Sequence, residues 1–328
     1  MKRAAAVAGG SVLLLAGFLF LSLGLPYAGF TQETFVDIPP GTSASQMAEL
    51  LEKAGVIRSR YQFLLARALD RRSTLQAGEY RFNRPASPWD VYSRIARGDV
   101  FYHELIVPEG FNRFDIARAL EGLGLPAAKD FLKESADPSL VRDLAPEAPS
   151  LEGYLFPSTY RIARRMTARQ LCERMVQSFR RAWRELNRPE ANVHRTVTLA
   201  SLVEKETSIA AERPTIASVF ENRLRLGMTL DCDPTVIYAA LLEGRWRGTL
   251  YQSDLNSPHP YNTYRHRGLP PGPIANPGLA SLKAALNPAE TKYIYFVATG
   301  DGSGAHHFSS NYAEHLAAVR LYRRATAQ

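Results

Sequence analysis

Two glutamates two residues apart, Glu204 and Glu206, close the segment LASLVEKE at 199–206. A helix turns about 100° per residue, so Leu199, Leu202 and Val203 fall on one apolar stripe, and Glu206 takes the next place on it. Glu204 lies about 200° round the axis from Glu206, which puts the two carboxyls on different faces. A carboxyl that continues an apolar face is costly to ionise without a partner. Its pKa rises, and it can hold a proton at neutral pH, as a general acid must. Two readings of Glu206 follow. In one it is that acid; in the other it ends the helix, pairs with a buried arginine such as Arg223 or Arg225, and only braces the core.

Other residues downstream and upstream could share the work. Asp233-Pro234 predicts a helix start with Asp233 as N-cap and Pro234 at the first position, and capping alone is a sufficient explanation of Asp233. The stretch Glu152-Gly153-Tyr154-Leu155-Phe156-Pro157 sets a carboxylate beside aromatics. Tyr154 and Phe156 suit either a platform for a ligand with an apolar face or a core aromatic cluster. Residues 257–277 contain six prolines, which fix the backbone and hold Asn262, Thr263 and Tyr264 at low entropic cost, so this rigid loop could form the lip of a binding groove. His306 and His307 are adjacent on an expected strand and point to opposite faces, which argues against a shared metal ion. Cys172 and Cys232 are too few for a disulfide framework or a metal site, and no histidine near Cys232 would activate its thiol.

The elements that must position these groups read as an α+β protein. Thr167–Leu186 is a long amphipathic helix. After the Glu206 helix, Pro214 suits a first turn, and Ile216, Val219, Phe220 and Leu224 form the buried face of a helix ending at Gly227. Tyr293–Ala298 and His306–Ser309 read as a hairpin around a Gly-rich turn, followed by a closing helix over 311–324. Upstream, VDIPPGTSASQMAELLEKAGVI (36–57) and LIVPEGFNRFDIARALEGLGLP (105–126) align without a gap at an offset of 69 residues. Each copy predicts a short strand, a Pro-x-Gly turn, and a helix closed by a glycine. After the first copy, Tyr61–Leu69 reads as a second helix and Gly78–Phe82 as another strand.

The N-terminus carries Lys2 and Arg3 before an uncharged, mostly apolar run from Ala4 to Leu25, long enough to cross a ~30 Å hydrocarbon core. Leu25-Pro26-Tyr27-Ala28 matches a cleavage site poorly, so the run reads as a retained single-pass anchor, with the chain from about Phe30 onward on the extracytoplasmic side. A cleaved signal peptide is the competing reading and leads to the same compartment. The chain has 328 residues, 45% of them hydrophobic, and its 40 Lys and Arg against 32 Asp and Glu leave a net charge of +8. That mild excess is spread over helical stretches such as 161–188. With no P-loop, zinc spacing or dinucleotide fingerprint, a nucleotide or nucleic-acid role has no support.

The order of motifs carries a resemblance. LEGYLFPSTY (151–160), LASLVEKET (199–207), ER (212–213), ASVFENRLRLGM (217–228), DPTVIY (233–238), YNTYRHRGLPPGPIANPG (261–278), SLKAAL (281–286), YIYFVA (293–298) and HHFS (306–309) together resemble the YceG-like family of endolytic murein transglycosylases. Membership implies a mainly helical, lysozyme-like catalytic domain over 150–328 and a LysM-like module over 30–149 that contains the repeats, both following the anchor segment over 1–29. It implies a lytic transglycosylase acting on peptidoglycan glycan strands, with Glu206 as the acid in a helical E-T step. Glu152, Tyr154, Glu204, Asp233, Asn262, Thr263, Tyr264 and His306 are then the residues expected around the substrate. No metal or organic cofactor is implied. The cell inner membrane is the expected location and the glycan synthases (penicillin-binding proteins) are the expected neighbours. A muramidase that uses water, with Glu152 or Asp233 as second carboxylate, and a glycan-binding scaffold without catalysis are the alternatives.

Overall fold

The computed structural model describes residues 17–125, 127–188 and 190–326, and its contacts divide the chain into two units. The smaller comprises residues up to Glu104 together with Arg161–Arg165, and the larger holds Leu105–Tyr160 and everything from Met166. Most of the expected anchor, Ala4 to Ala16, lies outside the described residues. Its described end, 17–24, is helical, with Phe18, Phe20 and Leu21 exposed. No helix among the described residues is long and apolar enough to cross a membrane.

The smaller unit has the strand, helix, helix, strand order expected of the first repeat and its sequel. Strand β1 (Thr34–Ile38) pairs antiparallel with β2 (Gly78–Phe82), Val36 opposite Tyr80. Between them lie α1 (Ala44–Lys53) and α2 (Arg60–Leu69), each started by a serine that caps the helix and a glutamine three residues on that reaches back, Ser43 with Gln46 and Ser59 with Gln62. Helix α3 (Pro88–Arg97) follows, with Ser87 as cap. Ile38, Leu51, Phe63, Tyr80, Phe82 and Ile95 meet in one buried cluster, which the alternation of β1 and β2 and the apolar faces of the helices create.

In the larger unit β3 (His103–Val107) leads into the second repeat, and the chain changes unit within this strand. It pairs with β4 (Ser158–Ile162) in a two-stranded sheet. The Pro-x-Gly turn places Gly110 at φ 79°, against 81° for Gly41 in the first copy; this left-handed conformation is what makes glycine the natural choice at both positions. Helix α4 (Arg113–Gly122) then starts from an Asn112 cap. The copies therefore share local geometry but lie in different units. Residues 105–149, grouped with the N-terminal module in the sequence reading, make their long-range hydrogen bonds to the larger unit, such as Gly110 N to Asn276 O at 3.0 Å and Asn276 N to Phe111 O at 2.9 Å.

Helix α5 (Ala128–Ala136) packs on α6 (Ala168–Glu185), whose Leu171, Met175, Val176 and Phe179 are buried. The centre of this unit is α7 (Val193–Glu206). Thr196 through Val203 are all buried because α8 (Arg213–Arg225), α9 (Asp233–Leu242) and, across a short turn α10 (Gln252–Leu255), α11 (Leu279–Leu286) supply its neighbours. A helix buried on all sides leaves its ends as the places where polar groups can reach a cavity. The hairpin β5 (Tyr295–Ala298) and β6 (His306–Ser309) sets Tyr295 opposite Ser309, and α12 (Tyr312–Thr326) packs against both strands.

Candidate active site

Helix α7 stops at Glu206 because Thr207 turns extended, at φ −145° and ψ 139°. Thr207 Oγ1 then accepts from Ile209 N at 2.9 Å and donates to Glu212 at 3.4 Å, so the chain leaves the helix in one defined direction. Glu206 is half-buried and lines a cavity of about 370 Å³ with Phe220, Arg223, Leu230, Asp231, Asp233, Tyr264, Tyr295, Phe296, Tyr312 and His315. Neither arginine of the brace reading reaches it: Arg223 pairs with Asp231 at 2.5 Å, and Arg225 donates to Asn222 at 2.8 Å. Glu206 forms no ion pair among the described residues.

Among the described residues its side-chain hydrogen bond comes from the Cys232 thiol, Sγ to Oε1 at 3.0 Å. Burial pushes the Glu206 carboxyl above the usual carboxylate range. The thiol donor opposes this, Asp233 reinforces it, and His306 opposes it. Burial and the neighbouring Glu206 push the Cys232 thiol far up, so Cys232 stays a donor and is no nucleophile. It is also unpaired, as is Cys172. His306, expected beside the substrate, does not line this cavity; Glu212 accepts from its backbone N at 2.9 Å and contacts its Nδ1 at 2.7 Å. Among the described residues no cluster of three or more His, Cys, Asp or Glu could hold a metal ion.

The reading of Asp233 as N-cap is corrected. Cys232 occupies the cap position, and Asp233 is the first helical residue, followed by Pro234. One residue further in, the Asp233 side chain is free of capping and its Oδ1 accepts the Tyr264 phenol at 2.6 Å. Tyr264 is the one residue of the proline-rich loop's expected trio that reaches the cavity. Asn262 is fully buried and staples the loop, donating to Leu255 O at 2.9 Å and Ser257 O at 2.8 Å. Thr263 faces inward as well: its Oγ1 accepts from Cys232 N at 3.1 Å and meets Thr235 Oγ1 at 2.9 Å. Asn262 and Thr263 thus position Tyr264 and the start of α9 instead of forming a lip.

Three other expected residues lie apart from this cavity. Glu204, on the opposite side of α7, accepts from Arg213 at 3.1 Å and from Gly278 N at 2.9 Å, a buried brace between α7, α8 and the start of α11. Glu152 is 1% exposed. It accepts from Arg113 N at 3.0 Å and from the Asn276 amide at 2.9 Å, while Asn276 also accepts from Gly153 N and Leu155 N. Burial pushes the Glu152 carboxyl up to about 7, against the Arg113 backbone donor, the Arg113 charge and the Tyr238 phenol. Tyr154 is fully buried, edge-on to Phe179, with its hydroxyl 3.0 Å from His194 Nδ1. It is a core residue, the second of the two readings offered for it.

Residues 36–321 match the model of the YceG-like family. The chain belongs to this family. An endolytic murein transglycosylase of Bacillus subtilis is 34% identical over 307 residues, covering 88% of this chain and 84% of that protein. One of Streptococcus pneumoniae is 27% identical over 319 residues, 85% of this chain but 56% of its own length. The crystal structure of a YceG-like protein from Listeria monocytogenes aligns with a TM-score of 0.56 at 33% identity, over 87% of this chain and 99% of that one.

Several residues in or behind this YceG-like cavity have no role assigned from the sequence; of these, Cys232 and Glu212 do not line it but contact Glu206 and His306 respectively. Cys232 was set aside for lack of a histidine partner, although its place before Asp233 was the available clue. Glu212 stood in the ER step of the resemblance with no role attached. Tyr295, Tyr312 and His315 carry no local pattern, because they arrive from a hairpin and a helix about 90 residues or more after Glu206.

Proposed function

We propose that this chain cleaves peptidoglycan glycan strands as an endolytic lytic transglycosylase, with Glu206 as acid and then base. The observation that carries the assignment is a half-buried carboxyl at a helix end, open to a cavity, without a cationic partner and with its proton affinity raised by burial. The similarity to proteins named endolytic murein transglycosylases supports it. Protonated Glu206 gives its proton to the oxygen leaving C1 of N-acetylmuramic acid, and the C1–O bond breaks. The resulting carboxylate removes the proton of the same sugar's C6 hydroxyl, whose oxygen closes on C1 to give the 1,6-anhydro ring. Atoms balance without water, so one carboxyl serves both steps, whereas most glycosidases use a pair.

A second reading has one observation in its favour. Asp233 shares the cavity with Glu206, so a water-using muramidase has a candidate second carboxylate; Glu152, in its own buried cluster, has no such position. In the transglycosylase reading Asp233, held by Tyr264, stabilises the developing positive charge on the sugar. Mass spectrometry of the products separates the two. Anhydro ends are expected; reducing ends formed with uptake of water would replace this reading with the muramidase.

Three finer features belong to the same proposal. The Ala4–Leu25 run anchors the chain in the cell inner membrane with both units on the extracytoplasmic side. The smaller unit is a LysM-like glycan-binding module, a role its exposed Phe35, Tyr61 and Trp89 support. Cutting near the membrane, beside the glycan synthases, would end strand elongation.

A further inference from the structure

Two of the residues that line the cavity with Glu206 each carry a buried side-chain nitrogen without a hydrogen-bond partner among the described residues, Arg223 Nε and His315 Nδ1. Arg223 is only 9% exposed. One of its terminal nitrogens is used by Asp231, and its guanidinium lies 5.5 Å from the centre of the Tyr295 ring. His315 stacks on the same tyrosine, with ring centres 4.8 Å apart and 18° between planes, and lies 6.4 Å from Tyr312. Burial and then the Arg223 charge lower the pKa of His315, which leaves the ring neutral near pH 7. A neutral imidazole has one donor nitrogen and one acceptor nitrogen.

Native proteins rarely leave buried polar atoms unpaired, and those at a cavity wall point to what the cavity takes. The charges narrow the choice. Arg223 is already matched by Asp231, and Asp233 adds a second negative group, so an anionic substituent gains little here. Arg223 Nε supplies one N–H donor, and in the tautomer protonated at Nε2 His315 Nδ1 supplies one lone pair. A secondary amide presents the complement, a carbonyl acceptor and an N–H donor. Tyr295 and Tyr312 beside them offer aromatic surface for a methyl group or a pyranose face.

We propose that Arg223 and His315 form a recognition site for the acetamido group of an N-acetylated sugar, with Arg223 Nε–H donating to its carbonyl and His315 Nδ1 accepting from its N–H. This rests on the glycan-cleaving reading and adds the substituent by which the cavity selects its sugar. A hexose with a hydroxyl at the same carbon leaves both atoms unpaired and is discriminated against.

The test is calorimetric titration of the full-length Glu206→Gln chain, which keeps the cavity shape, with two neutral β-1,4 tetramers, of N-acetylglucosamine and of glucose. The acetylated tetramer is expected to bind at least about tenfold more tightly. Adding His315→Phe, which keeps the stack on Tyr295 and removes the nitrogen, is expected to abolish that preference. His315→Asn, which restores an acceptor near the Nδ1 position, is expected to recover much of it; this third variant guards against a fold defect in the second. Equal binding of the two tetramers, no binding of the acetylated one, or an undiminished preference in His315→Phe overturns the site. Strand cutting by the unmodified chain is scored separately through anhydro ends. A chain that cuts but shows no acetamido preference loses this inference and keeps its function, whereas one that binds selectively and never cuts loses the function alone.

Discussion

The cavity around Glu206 and the cluster around Glu152, both in the larger unit, hold carboxyls that burial pushes in the same direction and that the fold uses differently. Glu152 is enclosed by donors whose hydrogen bonds tie the second repeat, residues 151–155 and the Asn276 loop together. Glu206 has, among the described residues, a single weak thiol donor and an open side. A raised pKa therefore does not by itself mark an acid of the chemistry. What separates the two is the number of fixed donors, which locks a carboxyl into structure, and access to a cavity, which lets its proton be used.

Exchanging the two residues' fates is the strongest way to break that comparison. Glu206→Gln is expected to reduce strand cleavage by about 10²–10⁴-fold, the usual contribution of a positioned acid, while its melting temperature stays close to that of the parent chain. Comparable cleavage in Glu206→Gln, with loss only in Glu204→Gln, would move the acid to the other face of α7. Glu152→Ala is expected to do the reverse. It strips partners from Arg113 N and Asn276 and lowers stability by about 2–4 kcal/mol, read by denaturant unfolding, while the folded fraction still cuts.

The smaller effects sharpen the contrast. Tyr264→Phe removes the phenol that holds Asp233 and is expected to lower cleavage by about tenfold with the fold intact; full activity would make that hydrogen bond incidental. Cleavage begins with a protonated Glu206, so its rate should fall as pH rises through the raised pKa. In Cys232→Ala the thiol donor that favours the charged form is gone, and the alkaline limb of the pH–rate profile should move to higher pH. An unmoved or lowered limb would mean the thiol does not tune the acid. Glu152 should act on stability instead. Its folded value of about 7 lies above the ordinary 4.5, so its contribution is complete below pH 4.5 and is lost as pH rises through about 7. That dependence should vanish in Glu152→Ala.

Local pattern was sufficient for much of this protein. The strand and helix order of the first repeat, the capped amphipathic helix after Thr167, the hairpin at 295–309 and the separation of Glu204 from Glu206 all follow from periodicities and caps that act within a few residues. Helical geometry was enough to set Glu206 and Glu204 on different faces, but it left Glu206 open to both the acid and the brace reading. Only the tertiary structure decided what each polar group meets. Arg223 turned to Asp231 and left Glu206 without a cation, Asn262 and Thr263 turned inward while Tyr264 reached the cavity, and Tyr154 and Glu152 were enclosed. It also brought Cys232 to Glu206 and set the second repeat with the larger unit. These outcomes depend on which elements pack against α7, and the partners come from segments tens of residues apart. No local period encodes such a meeting; burial satisfies each polar group with whichever partner the packed neighbours supply.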